Sequence, residues 1–180
     1  YLGGIQRGRA IEIMLDAFSG VEGAALVLMG YGGSSPEGKR LETLVREKND
    51  HEENLFFHEP VNQDELADFV ASADVGLCLI EDKCLSYRYC LPNKLFEYGM
   101  AGLPIIVSDL PEMRNKIEHY RCGLVCENLS SGGIRATVEN VSAAENESWG
   151  RNARQMAEEN CWENQEKKLL TLYENVLKAA

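Results

Sequence analysis

The sequence predicts a doubly wound α/β domain built on a parallel sheet of about six strands. Three observations predict it. Short apolar runs alternate with amphipathic segments about six times through Cys126, and such alternation implies parallel strands joined by crossover helices. The runs at 24–29 and 74–80 are continuously apolar, as strands buried on both faces require. Residues 130–180 carry no strand signal and read as a C-terminal helical extension.

The elements follow in order. Residues 1–4 end a strand. Ile11, Met14, Leu15 and Phe18 mark one helical face over 9–19. A strand follows at 24–29, a loop at 30–36, and a helix at 37–48 with Leu41, Leu44 and Val45 inward. A short strand spans 54–57. Asn62 with Glu65 reads as a capping box for a helix over 64–72. After the strand at 74–80 come a helix at 92–100 and a strand at 103–107. Asp109 with Glu112 reads as a second capping box, opening a helix that runs to 118. A last strand spans 122–126. The final helix places Leu169, Leu172, Tyr173, Val176 and Leu177 on one face, which predicts a packing partner.

The chain has 180 residues and a formal net charge of −11. That balance argues against binding nucleic acid or anionic membranes, both of which need clustered Lys and Arg. No apolar run approaches the roughly 18–20 residues that span a bilayer. The six cysteines include no CxxC pair, so reduced, mostly structural thiols are expected. A metal site at Cys122 and Cys126 with His119 is the weak alternative, since the spacing fits no zinc pattern.

Ligands of such sheets bind at the carboxyl ends of the strands. The loops to search are therefore 3–9, 30–38, 58–63, 81–93 and 108–111. Two regions there lack acid. Residues 1–11 carry Arg7 and Arg9 with no carboxylate, and 83–96 carry Lys83, Arg88 and Lys94 with none. Local positive charge in an acidic chain suits a small anion. The helix after Pro92 has no capping oxygen at Cys90 or Leu91. Its free amides at Asn93 and Lys94 are capped either by water or by a phosphate. Glu97 shares their helix face. It either accepts a sugar hydroxyl pair or makes a surface ion pair with Lys94. Arg7 can reach a phosphate at the Pro92 helix end, while Arg9 is equally a helix-surface residue. Gly32, in the Tyr31-Gly-Gly turn, is either a plain turn residue or lets a base approach the backbone. The 3–9 loop is glycine-rich but not GxGxxG, so no dinucleotide fingerprint is present.

These residues resemble a family. The stretch 92–109, PNKLFEYGMAGLPIIVSD, is similar to the core signature of the group 1 (family 4) retaining glycosyltransferases, which have the GT-B fold. The opening YLGGIQRG resembles the family's first strand and its Lys/Arg-Gly pair. Residues 26–30 resemble the strand before the base pocket, and 61–74 the stretch from the base-contacting loop onward. Residues 162–177 resemble the final helix with its Trp and Tyr.

The resemblance implies roles, residue by residue. Glu97 matches the second glutamate of the E-x7-E motif, which holds the donor ribose. Arg7 matches the basic residue on the donor diphosphate, and with Lys94 it would stabilise leaving-group charge. The amides of Asn93 and Lys94 match those that bind the diphosphate. Val61, after Pro60, matches the backbone that contacts the base. Gly4, Gly32, Leu91 and Pro92 complete the implied donor-binding set. The sequence departs from the family at Tyr89, where the first glutamate of E-x7-E belongs. It departs also at Cys90-Leu91-Pro92, which replace a Ser-Phe-Gly stretch, and at Gly4, where many members have Arg.

The resemblance covers 1–180 as the nucleotide-sugar-binding domain of a two-domain enzyme. The N-terminal acceptor domain is expected to precede Tyr1, and helices within 145–180 are expected to pack back toward it. The implied activity is hexosyl transfer from a nucleotide-diphosphate sugar to a glycan, polysaccharide or lipid-linked acceptor, with no cofactor and no obligatory metal. The implied location is cytoplasmic, with any peripheral membrane contact made through the preceding domain. A nucleotide-sugar epimerase half and a non-catalytic protein-interaction module are the alternatives.

Overall fold

The structure, a computed structural model, describes residues 1–141 and 143–179. Among these, the strands are β1 (Leu26–Met29), β2 (Leu55–His58), β3 (Gly76–Cys78), β4 (Ile105–Ser108) and β5 (Gly123–Cys126). The helices through the sheet are α1 (Ile11–Phe18), α2 (Pro36–His51), α3 (Leu66–Val70), α4 (Leu85–Arg88), α5 (Asn93–Met100) and α6 (Pro111–Tyr120). After it come α7 (Ser131–Glu139), α8 (Ala143–Glu159) and α9 (Trp162–Ala179). Every strand pair is parallel, in the orders β1-β2 and β3-β4-β5. No helix among the described residues is long and apolar enough to cross a membrane.

The sixth strand of the sequence reading is present only as a bridge. Leu2 pairs in parallel with Met29. The Met29 amide donates to the Tyr1 carbonyl at 2.9 Å, and the Gly3 amide to the Met29 carbonyl at 3.0 Å. On the other side the Leu2 amide donates to Tyr98 Oη at 2.7 Å, and that hydroxyl donates to the Leu77 carbonyl at 3.2 Å. One side-chain hydroxyl from α5 thus joins the two halves of the sheet. Gly76 makes room for it, since a Cβ there would lie 2.4 Å from the Tyr98 ring.

The continuous apolar runs are explained by two cores. Leu77, Leu79 and Ile106 join the cluster under α1, α2 and α7. Their chain neighbours Cys78, Ile80, Ile105 and Val107 join the cluster under α5, α6 and α8. Successive strand residues point to opposite faces, and here both faces are covered.

Neither expected capping box forms. At α3 the N-cap is Glu65 with no side-chain cap bond, and the Asn62 amide donates to the Glu65 carboxylate instead. At α6 the N-cap is Leu110, because Asp109 is drawn into an ion pair with Arg114 at 2.6 Å. The side-chain caps are Ser35 on Gly38 of α2 and Ser130 on Gly133 of α7. The one-turn α4 lies inside the 81–93 loop and carries no sequence signal.

The helices within 145–180 differ in what they pack against. Helix α8 packs along α5. Gly99 permits the contact, since a Cβ there would meet the Ala153 carbonyl at 2.6 Å. Helix α8 therefore belongs to this domain and buttresses α5. Helix α9 instead leaves Trp162, Leu170, Leu172, Tyr173, Val176 and Leu177 exposed.

Candidate functional site

The site is built where two loops interlock at the carboxyl edge. The loop after the first segment folds back through Arg9 N donating to the Gln6 carbonyl at 3.3 Å. The Glu81 amide donates to the Gly8 carbonyl at 3.0 Å, which ties this loop to the one following β3. Gly8 has φ 84°, and a Cβ there would lie 2.4 Å from the Tyr87 ring. Ala10, the N-cap of α1, is held in the left-handed region at φ 53°. That conformation costs an alanine about 1–2 kcal/mol. It sets the exit angle of the loop, and the Arg9 guanidinium lies over the Tyr87 ring, 5.1 Å from its centroid.

The second component is the start of α5. Pro92 is the N-cap and supplies no side-chain bond, so the first-turn amides of Asn93 and Lys94 have no intrahelical acceptor. The missing cap is not unique to α5, since α3 and α6 lack one too. What distinguishes α5 is Lys94. Its side chain is only 7% exposed. Among the described residues, its Nζ is the buried side-chain atom without a hydrogen-bond partner. The ammonium sits 3.7 Å from the centre of the Tyr1 ring. Burial lowers its pKa to about 8; the Arg9 charge lowers it too, against Cys78, Cys90 and Glu97, which raise it. A buried cation without a counter-charge is costly and is suited to receive an anion.

The predicted residues separate into groups. Asn93 and Pro92 stand at the α5 end, and Leu91 is partly exposed beside them. Glu97 is half-buried one turn further on, and burial raises its pKa while the Lys94 charge lowers it. The ion pair between Glu97 and Lys94 is not made, because the ammonium is turned onto Tyr1. Gly4 receives the Tyr1 hydroxyl on its carbonyl at 2.7 Å. Val61, after β2, packs at the margin of the core. Gly32 sits in a tightly packed turn. Its amide donates to Glu42 at 2.7 Å, and a Cβ there would lie 2.1 Å from the Gly38 carbonyl oxygen.

Arg7 is not among the main charges acting on Lys94. It is exposed and lines a cleft of ≈ 350 Å³ with Glu37, Glu81 and Lys83. Arg9, which sequence reasoning left open, is the arginine whose charge reaches Lys94, Cys78 and Cys90. The helical spacing held the signal. A face beginning at Ile11 leaves residue 9 in the loop, ahead of the Ala10 cap. The acid-free stretches are also less positive than they read. Lys83 pairs with Glu81 at 2.8 Å and Arg88 with Asp82 at 3.0 Å, carboxylates just upstream of the gap. Among the described residues Arg7, Arg9 and Lys94 make no ion pair.

All six cysteines are free, with Cys78, Cys122 and Cys126 buried. Among the described residues no three His, Cys, Asp or Glu side chains cluster to hold a metal, so the alternative at Cys122 and Cys126 with His119 is not formed. The arrangement places two free amides at a helix N-terminus, with a buried ammonium on the same first turn and the Arg9 guanidinium on the neighbouring loop over Tyr87. A half-buried carboxylate stands one turn away for neutral hydroxyls.

Residues 1–143 match the family described as Glycosyl transferases group 1. No curated protein matches the chain. Among solved structures the fold is similar to sucrose-phosphate synthase from Thermosynechococcus elongatus, at 22% identity and TM-score 0.77, over 100% of this chain and 45% of that one. It is similar to the N-terminal domain of Candida albicans trehalose-6-phosphate phosphatase, at 13% identity and TM-score 0.70, over 94% and 39%. It is also similar to WaaG, a glycosyltransferase involved in lipopolysaccharide biosynthesis, at 21% identity and TM-score 0.58, over 86% and 40%. The chain spans less than half the length of each of these structures.

Proposed function

The chain belongs to the group 1 glycosyltransferases, and from that premise we propose that it is the donor-binding half of a two-domain, retaining GT-B enzyme. The donor is a nucleotide-diphosphate sugar. The single observation that carries this reading is the buried, unpartnered Lys94 ammonium in the first turn of an uncapped helix. A diphosphate bound there accepts from the amides of Asn93 and Lys94 and sits on the positive end of the helix dipole. Arg9 adds charge from the opposite loop, and Arg7 adds a longer-range field. Glu97 accepts the ribose hydroxyls, with Gly4, Val61 and Leu91 as neighbouring surface for the donor. Gly32 shapes the turn beside the base.

In retaining transfer the nucleoside diphosphate leaves as an anion. Arg9, Lys94 and the α5 dipole stabilise the charge that develops on it. The chain needs no protein general base for this step and no metal. The acceptor, a glycan, polysaccharide or lipid-linked sugar, is bound by a second domain, whose surface also covers the exposed face of α9. A cytoplasmic location fits such a donor. Calorimetric titration with UDP, GDP and ADP tests the reading. At least one is expected to bind, and Glu97→Ala is expected to weaken it about tenfold or more, as loss of hydrogen bonds to a charged group does. No heat from any of the three in folded protein refutes it.

A further inference from the structure

Tyr1 lies outside every role derived above, yet the Lys94 ammonium, which has no hydrogen-bond partner, rests over its ring. The ring is fixed from both ends. Its backbone is paired with β1 through the Met29 amide. Its hydroxyl donates to the Gly4 carbonyl at 2.7 Å. Between these anchors the ring face lies 3.7 Å from Lys94 Nζ. An aromatic face attracts a cation most strongly where water is excluded, and Lys94 is 7% exposed.

We infer that Tyr1 is a positioning residue that acts through Lys94. Its ring keeps a buried, unpaired ammonium charged and aimed in the ligand-free protein, so that an anion arriving at the start of α5 meets a ready cation. The groups around Lys94 come from every neighbouring element. They are the Tyr1 amino group, whose pKa is lowered to about 5 by burial and by the Lys94 charge, Cys78 on β3, Arg9 ahead of α1, Cys90 ahead of α5 and Glu97 on α5. Burial raises the pKa of Cys78 to about 11 and raises those of Cys90 and Tyr98, so at neutral pH these remain uncharged. Glu97 is the one carboxylate in the set, and it is not within hydrogen-bonding reach of Nζ. The ring therefore supplies attraction that no neutral neighbour supplies. Lys94 titrates at about 8 in its folded surroundings, so a modest loss of support moves it through the neutral range.

The test follows the Lys94 ε-carbon shift in 13C-lysine-labelled protein from about pH 6 to about pH 10, alongside titrations with UDP, GDP and ADP. Wild type and Tyr1→Phe are expected to share a midpoint, since phenylalanine keeps the ring. Tyr1→Leu is expected to lower it by about one unit, because losing the ring disfavours the charged form. Nucleotide affinity is expected to fall at correspondingly lower pH. Should the leucine variant not fold, pentafluorophenylalanine at position 1 keeps the shape but reverses the ring charge, and the same lowering is expected. An unmoved midpoint in the leucine or fluorinated variant overturns the inference. So does an equal shift in Tyr1→Phe, which would assign the effect to the Gly4 tether. The binding arm rests on the donor-site reading. Nucleotides that fail to bind wild type overturn that reading, while the midpoint still decides the role of Tyr1.

Discussion

Tyr98→Phe tests how the sheet is held together. The substitution removes one oxygen and keeps the ring that packs over Gly76. Tyr98 is 2% exposed, so water does not replace the lost group readily. The hydroxyl accepts from the Leu2 amide at 2.7 Å and donates to the Leu77 carbonyl at 3.2 Å. Each such bond contributes about 0.5–1.5 kcal/mol net, and an orphaned buried amide costs about 1–3 kcal/mol. The expected loss is therefore about 2–3 kcal/mol. For a domain of this size each kcal/mol moves Tm by about 2–4 °C, so Tm is expected to fall by about 4–12 °C. Thermal unfolding followed by circular dichroism measures it, with Tyr173→Phe on the exposed face of α9 as a control expected to change stability by less than about 0.5 kcal/mol. Amide exchange adds a local readout, with Leu2 expected to lose protection. A Tm within a degree of wild type would refute the claim that this hydroxyl joins the two halves.

Lys94→Met is expected to stabilise the protein while weakening nucleotide binding. A lysine that titrates at about 8 when folded and at about 10.4 when unfolded carries a folding cost of roughly 3 kcal/mol at neutral pH, some of it offset in the variant by loss of the Tyr1 contact. The sign is set by proton uptake. Below about pH 8 the cost is fully present, and it vanishes as pH rises toward about 10.4. Denaturant unfolding should show the advantage of the variant at pH 7 shrinking over that window, and an advantage constant with pH would contradict it. Arg9→Ala is expected to weaken the bound nucleotide about tenfold, the loss of one charge-assisted hydrogen bond. Arg7→Ala is expected to cost about twofold or less, as an exposed charge does. Calorimetry on the two variants checks the order, and a larger loss at Arg7 would reverse the assignment.

The sheet was readable because its strands are buried on both faces. A run such as Ile105-Ile-Val contributes to two cores at once and cannot alternate. Helix α1 was readable from its spacing. The caps were not, because a matching pair of residue types does not fix which competes for the amide. Asp109 found Arg114 first. Which arginine charge acts on Lys94 was hidden for a related reason. Gly8 looks like the glycine of a basic-residue-and-glycine pair, but the turn into α1 is made by Ala10 in a left-handed conformation, which alanine seldom signals. Lys94 stands in the motif, but its burial was hidden by its charge. It shares the inward face with Leu95 and Tyr98, and long apolar stems let lysine do this.

The central claim is that an anion is received at the start of α5. Amide chemical-shift mapping with UDP, GDP and ADP tests it most directly. The account predicts that the nucleotide that binds shifts the amides of Asn93 and Lys94 most, with Gly4 and Arg9 following and α9 unmoved. Saturable shifts centred elsewhere, with Asn93 and Lys94 unchanged, would contradict it.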